Sequence, residues 1–131
     1  MRAEGGTPLD APHGWTPDHL LLATVVRCSL GSLQHHARRM GLDLEGAGRA
    51  HGVVARRDGD GRFAFVTVEV ELEVELAPAP GPEAQRDLLA KAERDCFVGA
   101  SLTARPSYAW TVNGSRLEEG AGEPTSREAA A

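Results

Sequence analysis

The chain has 131 residues, a size that suits a single domain. Its formal net charge is -5 at pH 7, and its basic residues are scattered, so nothing predicts binding to nucleic acid. No apolar stretch approaches the about 20 residues that a membrane-spanning helix needs. The first residues lack the apolar core of a signal peptide. We therefore expect a cytoplasmic protein with no membrane partner.

The two cysteines, Cys28 and Cys96, are too few for the disulfide framework of a small secreted protein. In a reducing compartment they are either two unrelated buried thiols or a redox pair. Counting alone favours the first interpretation, because cysteine behaves as a small apolar residue and is commonly buried. Their surroundings in the sequence therefore matter more than their number.

The first strong element is a helix that begins at Thr16 and ends at Gly41. Thr16 is a good N-cap residue, Pro17 suits the first helical position, and Asp18 places a negative charge in the first turn. Glycine is the usual residue where a left-handed conformation ends a helix. The first half of the helix is apolar nearly all round, which predicts burial on most sides, and Cys28 lies in this stretch.

A long β-hairpin is predicted after the helix. Residues 47–57 resemble a strand interrupted by glycine, and residues 58–61 (DGDG) are a strong turn signal. Between Val66 and Leu76, apolar residues alternate with threonine and glutamate. One face of this second strand should therefore pack on the core, while the glutamates should face water.

The second half of the chain predicts a helix and a last strand. A proline-rich linker at residues 77–82 precedes a helix over residues 83–95, which ends directly before Cys96. Residues 101–113 suggest a strand in which Pro106 marks an edge or a bend.

The composition divides the chain into three parts. Residues 1–15 are rich in glycine, proline and alanine and are expected to form an N-terminal arm. Residues 16–117 hold the patterned elements and form the predicted folded domain. Residues 118–131 are polar and rich in alanine and glycine, so we expect a flexible C-terminal tail.

Five histidines raise the question of a metal site. No two of them have the H-x-x-x-H spacing, and the chain contains no C-x-x-C motif, so we predict no metal site. The adjacent histidines, His35 and His36, would point about 100° apart on a helix. The five are His13, His19, His35, His36 and His51.

Two segments taken together resemble the OsmC/Ohr family, which is named for osmotically inducible protein C and for organic hydroperoxide resistance. One is Thr16-Pro17-Asp18-His19-Leu20-Leu21, which opens the helix that carries Cys28 ten residues after Asp18. The other is Cys96-Phe97-Val98-Gly99, which follows the second helix. The resemblance covers about residues 14–113 and rests on the joint order and spacing of these segments around the hairpin.

The resemblance implies an α+β fold, in which a long central helix and a second helix pack on an antiparallel sheet within an intertwined homodimer. It also implies a thiol-dependent peroxidase that reduces organic hydroperoxides and uses an external dithiol reductant but no cofactor. By position, Cys28 would be the peroxidatic cysteine, Cys96 the resolving cysteine, and Asp18 the acidic residue that orients an arginine beside the reactive thiolate.

The family arginine itself has no match by motif. Arg2 lies in the corresponding general region of the chain but without the matching context, and Arg27 and Arg105 are candidates through their nearness in sequence to the two cysteines. The sequence also departs from the family at Phe97, in place of proline, and at Gly99, in place of serine. A second hypothesis therefore stays open: a non-catalytic OsmC-like dimer or a module that binds a small apolar ligand.

Overall fold

A computed structural model describes residues 1–6, 8–10 and 14–117 of the chain. This part contains three helices and four strands, and the helices lie against one face of a sheet in which the strand order is β1-β2-β3-β4. The elements are α1 (Pro17–Arg39), β1 (Asp43–Arg56), β2 (Phe63–Ala77), α2 (Pro82–Arg94), α3 (Phe97–Ala100), β3 (Ser107–Val112) and β4 (Ser115–Arg116). The α+β class is thus confirmed. The predicted tail at residues 118–131 lies outside the described residues, as does His13.

Helix α1 begins and ends close to its predicted positions. Thr16 is the N-cap, and its backbone N–H donates to Nδ1 of His19 over 3.2 Å. At the other end Gly41 has a φ of +75°, and the N–H of Leu42 donates to the carbonyl of Ala37 over 2.9 Å. This is the left-handed ending that the glycine predicts.

The predicted burial of α1 on most sides is wrong for this chain taken alone. Its buried residues, spaced three or four apart, form a single stripe. Ala23 and Thr24 are exposed, and Cys28 is partly exposed. The cause is that one chain offers α1 only the sheet and two short helices as cover. The buried residues of α1 are Leu22, Val25, Ser29, Leu33 and Ala37.

The hairpin forms, with one irregularity. β1 and β2 pair in antiparallel register from Asp43 opposite Ala77 to Arg56 opposite Phe63. The register shifts between Val53 and Val54, which leaves Val66 as the extra residue of a bulge. The predicted alternation therefore holds from position 68 onward, whereas Val66 is 40% exposed.

The sheet is mixed and not wholly antiparallel as expected. β3 pairs with β2 in parallel, with Glu69 opposite Ser107 and Val74 opposite Val112. The chain between these strands passes through α2 and α3, and such a crossover returns it in the same direction. The last strand is shorter than the predicted residues 101–113, because residues 101–106 form turns and bends and β3 begins only at Ser107.

Glycines in β1 let α1 approach the sheet closely. A Cβ at Gly46 would lie 3.2 Å from Leu30 of the helix, one at Gly48 would lie 3.1 Å from Val26, and one at Gly52 would lie 3.1 Å from Leu22. These three helix residues are spaced four apart, so they form one ridge that packs against the glycine positions of β1.

We predict that Gly48→Ala destabilises the fold by about 1–3 kcal/mol, the usual result of inserting a methyl group into a packed site. The new Cβ would meet the side chain of Leu72 and lie 2.9 Å from the carbonyl oxygen of Glu71, which cannot move without disturbing the sheet. Urea denaturation followed by circular dichroism measures the change. Gly59→Ala is the control, because a Cβ there meets nothing within 4 Å. Equal midpoints for the two variants would contradict the close-packing interpretation.

Candidate active site

The fold brings the two predicted redox cysteines together. Cys28 lies on α1, and Cys96 is the N-cap residue of α3, which contacts α1. Both are free thiols, and each shifts the pKa of the other. Cys96 is 1% exposed, whereas Cys28 is partly exposed. The pair therefore has one sulfur that solvent reaches and one that it does not.

Two hydroxyl groups border the buried sulfur. Ser29 is fully buried, and its Oγ lies 3.5 Å from Sγ of Cys96 and 2.8 Å from the carbonyl oxygen of Val25. The hydroxyl of Tyr108, on β3, lies 3.1 Å from Oγ of Ser29. The ring of Tyr108 stacks on Trp110 at 5.9 Å between centroids, so the sheet holds this hydroxyl in place.

These neighbours decide the charge preference of Cys96. Burial alone would raise the pKa of its thiol, but the hydroxyl of Ser29, the N–H of Gly99, the thiol of Cys28 and the hydroxyl of Tyr108 together lower it below its usual value. Gly99 lies in the first turn of α3, of which Cys96 is the N-cap residue, although Cys96 makes no side-chain capping hydrogen bond. Tyr108 is itself a stable donor, because burial raises the pKa of its hydroxyl.

The pKa of Cys28 moves in the opposite direction. Burial raises it, and the neighbouring Cys96 raises it further, while the backbone N–H groups of Val98 and Phe97 oppose the change in part. Among the described residues, no arginine is one of the main groups that set this pKa. Burial therefore opposes ionisation of Cys28, whereas the donors around Cys96 favour its charged form.

The arginines that the sequence offered lie in different places. Arg27 is exposed on α1 and borders the same groove as Cys28. Arg2 and Arg105 are exposed on the N-terminal segment and on the loop before β3, and neither borders that groove. The structure thus leaves the role of the family arginine unassigned among the described residues.

Asp18 is not close to the pair within this chain. It lies in the first turn of α1, where the hydroxyl of Thr16 donates to its carboxylate and lowers its pKa. Ten residues of helix separate it from Cys28, a rise of about 15 Å along the axis. Its predicted orienting role is untested and stays a prediction.

A groove opens beside Cys28 and has a volume of about 530 Å³. Its wall is mainly apolar and includes Val98 and Phe97, whose side chain is 74% exposed. Farther along α1 the groove is bordered by His36 and Asp95, whose side chains meet at 2.7 Å. Hydrogen bonds from Arg94 and His36 hold the pKa of Asp95 well below its usual range. The groove thus combines an apolar wall, a thiol and an ion pair.

Sequence reasoning did not find Ser29, Tyr108 or the pair of His36 and Asp95. A serine within an apolar helical stretch was the available signal for Ser29, since a buried hydroxyl needs a partner. Tyr108 and Asp95 had no local signal, because their contacts join residues 79 and 59 positions apart.

The described part of the chain lacks both a membrane-spanning helix and a cluster of metal-binding side chains. None of the helices there is long and apolar enough to span a bilayer. In residues 1–6, 8–10 and 14–117, no three histidine, cysteine or acidic side chains are grouped as metal ligands would be.

Comparison with known proteins agrees with this architecture. The family model described as OsmC-like protein matches residues 9–111. No curated protein matches the chain significantly.

Several solved structures share the fold. An OsmC-like protein of unknown function from Vibrio cholerae is 14% identical, with a TM-score of 0.63 over 72% of this chain and 62% of its own length. OhrB of Bacillus subtilis, an organic hydroperoxide resistance protein, is 19% identical, with a TM-score of 0.54 over 78% of this chain and 73% of its own. An organic hydroperoxide resistance protein from Vibrio cholerae, which has captopril bound in one of its active sites, is 25% identical. Its TM-score is 0.53 over 78% of this chain and 67% of its own length. Because the family model matches more than half of the chain and these structures share its fold, the protein belongs to the OsmC/Ohr family.

Proposed function

We propose that the protein is a thiol-dependent peroxidase that reduces organic hydroperoxides through Cys28 and Cys96. The observation that carries the proposal is that Cys28 borders an apolar groove next to α3, the helix that Cys96 caps. Family membership adds support, since relatives with this fold are named for organic hydroperoxide resistance.

The position of each thiol suggests its role. Cys28 is the peroxidatic cysteine, because it borders the groove and can meet a substrate there. Its thiolate attacks the O–O bond, forms a sulfenic acid and releases an alcohol. Cys96, at the start of the neighbouring helix α3, supplies the second sulfur, which replaces the sulfenic oxygen, with loss of water, and forms a disulfide. An external dithiol then reduces that disulfide, and the reducing cytoplasm is the expected compartment. The proposal includes no cofactor.

The groove supports an apolar substrate. Its volume of about 530 Å³ is within the usual range for small-molecule sites, and its wall is mostly apolar. Phe97 contributes an exposed aromatic ring directly next to Cys96 in the chain. Hydroperoxides with an alkyl or aromatic body would bury that body against the groove, whereas hydrogen peroxide has nothing to bury.

A second candidate is favoured by one observation, the raised pKa of Cys28. A peroxidatic thiol should be ionised, and no arginine is among the main groups around it in the described residues. The alternative is therefore a non-catalytic OsmC-like dimer that binds a small apolar ligand in the same groove. Turnover distinguishes the two candidates.

We predict that the reduced protein consumes cumene hydroperoxide with a dithiol such as dihydrolipoamide as the reductant. Cys28→Ser should remove at least about 99% of this activity, because an alcohol at that position is not ionised at neutral pH and cannot replace the thiolate. Hydroperoxide loss is followed by a ferrous-dye assay, and circular dichroism checks that the variant folds. If neither cumene nor lipid hydroperoxides are turned over, the ligand-binding candidate replaces the peroxidase.

We also predict that Phe97→Ala raises KM for cumene hydroperoxide by roughly three- to tenfold, because part of the apolar contact is lost. The rate with hydrogen peroxide should change less than twofold, since that substrate buries no apolar surface. Phe63→Ala is a matched control, because Phe63 is 68% exposed but lies outside the groove. Equal effects of the two substitutions would show that Phe97 does not contact substrate.

The proposal includes a homodimer, which the uncovered side of α1 supports. Ala23 and Thr24 are exposed in the single chain, and the groove beside Cys28 is open. We predict a dimer by analytical ultracentrifugation at micromolar concentration. Thr24→Arg should shift it toward the monomer, because a charge placed in a packed interface is costly. Ser115→Arg on the short strand β4 is the control, and a wild-type monomer would contradict the prediction.

A further inference from the structure

We propose that His36 is a positioning residue for Cys96. Its hydrogen bond to Asp95, the residue directly before Cys96, fixes the junction between α2 and α3 on α1 and holds the resolving thiol where it can meet Cys28. The inference rests on the proposed peroxidase function, because that reaction ends with a disulfide between the two cysteines.

The junction between α2 and α3 is short. α2 ends at Arg94, Asp95 is its C-cap residue, and Cys96 is already the N-cap residue of α3. The Cys96 thiol makes no capping hydrogen bond, and the backbone N–H of Cys96 reaches the carbonyl of Glu93 only over 3.4 Å. A contact that restrains Asp95 therefore also restrains Cys96.

Three polar side chains on one face of α1, spaced three and four residues apart, contact this part of the chain. The contacts, in chain order, are Ser29 Oγ to Cys96 Sγ at 3.5 Å, Ser32 Oγ to the carbonyl oxygen of Ala92 at 2.8 Å, and His36 Nε2 to Asp95 Oδ2 at 2.7 Å. Ser29 directly follows Cys28 in the chain. This row of contacts therefore brings Cys96 beside the turn of α1 that carries Cys28.

The contact between His36 and Asp95 is the one of the three that involves a charged group. Hydrogen bonds from Arg94 and His36 hold the pKa of Asp95 well below its usual range, so the carboxylate is charged and Nε2 of His36 donates to it. The His36 side chain is 14% exposed, so most of the ring is shielded from water. Arg94 binds the same carboxylate at 2.8 and 2.9 Å, but it belongs to α2 and does not link the junction to α1.

The neighbouring histidine, His35, borders the same groove but is placed differently. Its side chain is exposed, and its ring meets the ring of His36 edge-on at 5.1 Å between centroids. Within the described residues it makes no hydrogen bond to α2 or α3. Both rings lie about 10–12 Å beyond Cys28 along the helix axis, so His36 acts on the reaction through Cys96 and not at the Cys28 sulfur.

The position of Cys96 affects the second chemical step and not the first. In the first step the Cys28 thiolate attacks the outer oxygen of ROOH, the O–O bond breaks, and the alkoxide takes a proton from water. In the second step the Cys28 sulfenic acid condenses with the Cys96 thiol: the S–O bond breaks, the S–S bond forms and water leaves. A displaced Cys96 slows this step and gives a further ROOH time to oxidise the sulfenic acid to sulfinic acid.

The first experiment does not depend on peroxidase activity. Wild type and variants are equilibrated over a range of ratios of reduced to oxidised glutathione, and the disulfide between Cys28 and Cys96 is quantified by mass spectrometry. His36→Ala should lower the equilibrium constant for this disulfide at least about fivefold, because the effective concentration of one thiol at the other falls. His36→Gln should restore it to within about twofold of wild type, since the amide N–H can still donate to Asp95.

Asp87→Ala is the matched control, because it removes an ion pair of 2.9 Å with Lys91 that lies within α2 and does not reach α1. It should leave the equilibrium constant unchanged, and urea denaturation checks that every variant folds. Equal constants in wild type and His36→Ala, or the same loss in Asp87→Ala, would overturn the inference. So would a wild type that forms no disulfide between the two cysteines.

A rapid-quench experiment with cumene hydroperoxide separates the two chemical steps. In His36→Ala, peroxide loss with less than one equivalent should stay within about twofold of the wild-type rate, whereas disulfide formation should slow at least about fivefold. Sulfinic acid should then accumulate in excess peroxide. If both steps slow equally, His36 has only a structural role and the inference fails. A wild type that forms the disulfide in glutathione but consumes no peroxide removes the peroxidase proposal alone.

Discussion

The site depends on the close contact between α1 and the glycines of β1. Because Gly46, Gly48 and Gly52 have no side chains, the ridge formed by Leu22, Val26 and Leu30 lies directly on the strand. That contact sets the rotation of α1 about its own axis. With the ridge on β1, the stripe that contains Ser29 faces the core, and Cys28, one residue earlier, comes to the border between core and groove. A larger residue in β1 would tilt the helix and change the distance between the two sulfurs.

Around the sulfurs, burial and hydrogen bonding act in opposite directions, and their balance differs between the two cysteines. Burial raises the pKa of any thiol that has no partner for its charge. Cys96 overcomes this effect because hydroxyl and amide donors converge on it, while Cys28 has fewer donors and a charged neighbour. Each thiol affects the pKa of the other, so the two cysteines titrate as a coupled pair.

Local patterns in the sequence were sufficient to predict most of the helices and strands. The caps of α1, the DGDG turn and the alternation in β2 depend on neighbours within a few residues, and each appears in the structure near its predicted place. The parallel pairing of β3 could not be predicted in this way, since it depends on how the crossover through α2 and α3 packs. The same limit applies to the site. The family resemblance suggested that the two cysteines act as a pair, but the contact of Ser29 with Tyr108 needs the folded sheet. The exposure of Cys28 depends on how much of α1 the rest of the chain can cover.

The glycine at position 99 is part of the same arrangement, although it departs from the serine that the family motif would have there. Gly99 is buried, and a Cβ on it would lie 3.5 Å from Sγ of Cys96, 3.5 Å from the Tyr108 hydroxyl and 3.3 Å from Pro106. A serine would therefore place its own hydroxyl in the space between the cysteine and the tyrosine. With glycine, the Tyr108 hydroxyl lies on this side of the sheet, 3.1 Å from Oγ of Ser29. Gly99 and Tyr108 thus belong to the same arrangement. The hydroxyl of Tyr108, on β3, borders the space that a longer side chain at position 99 of α3 would fill.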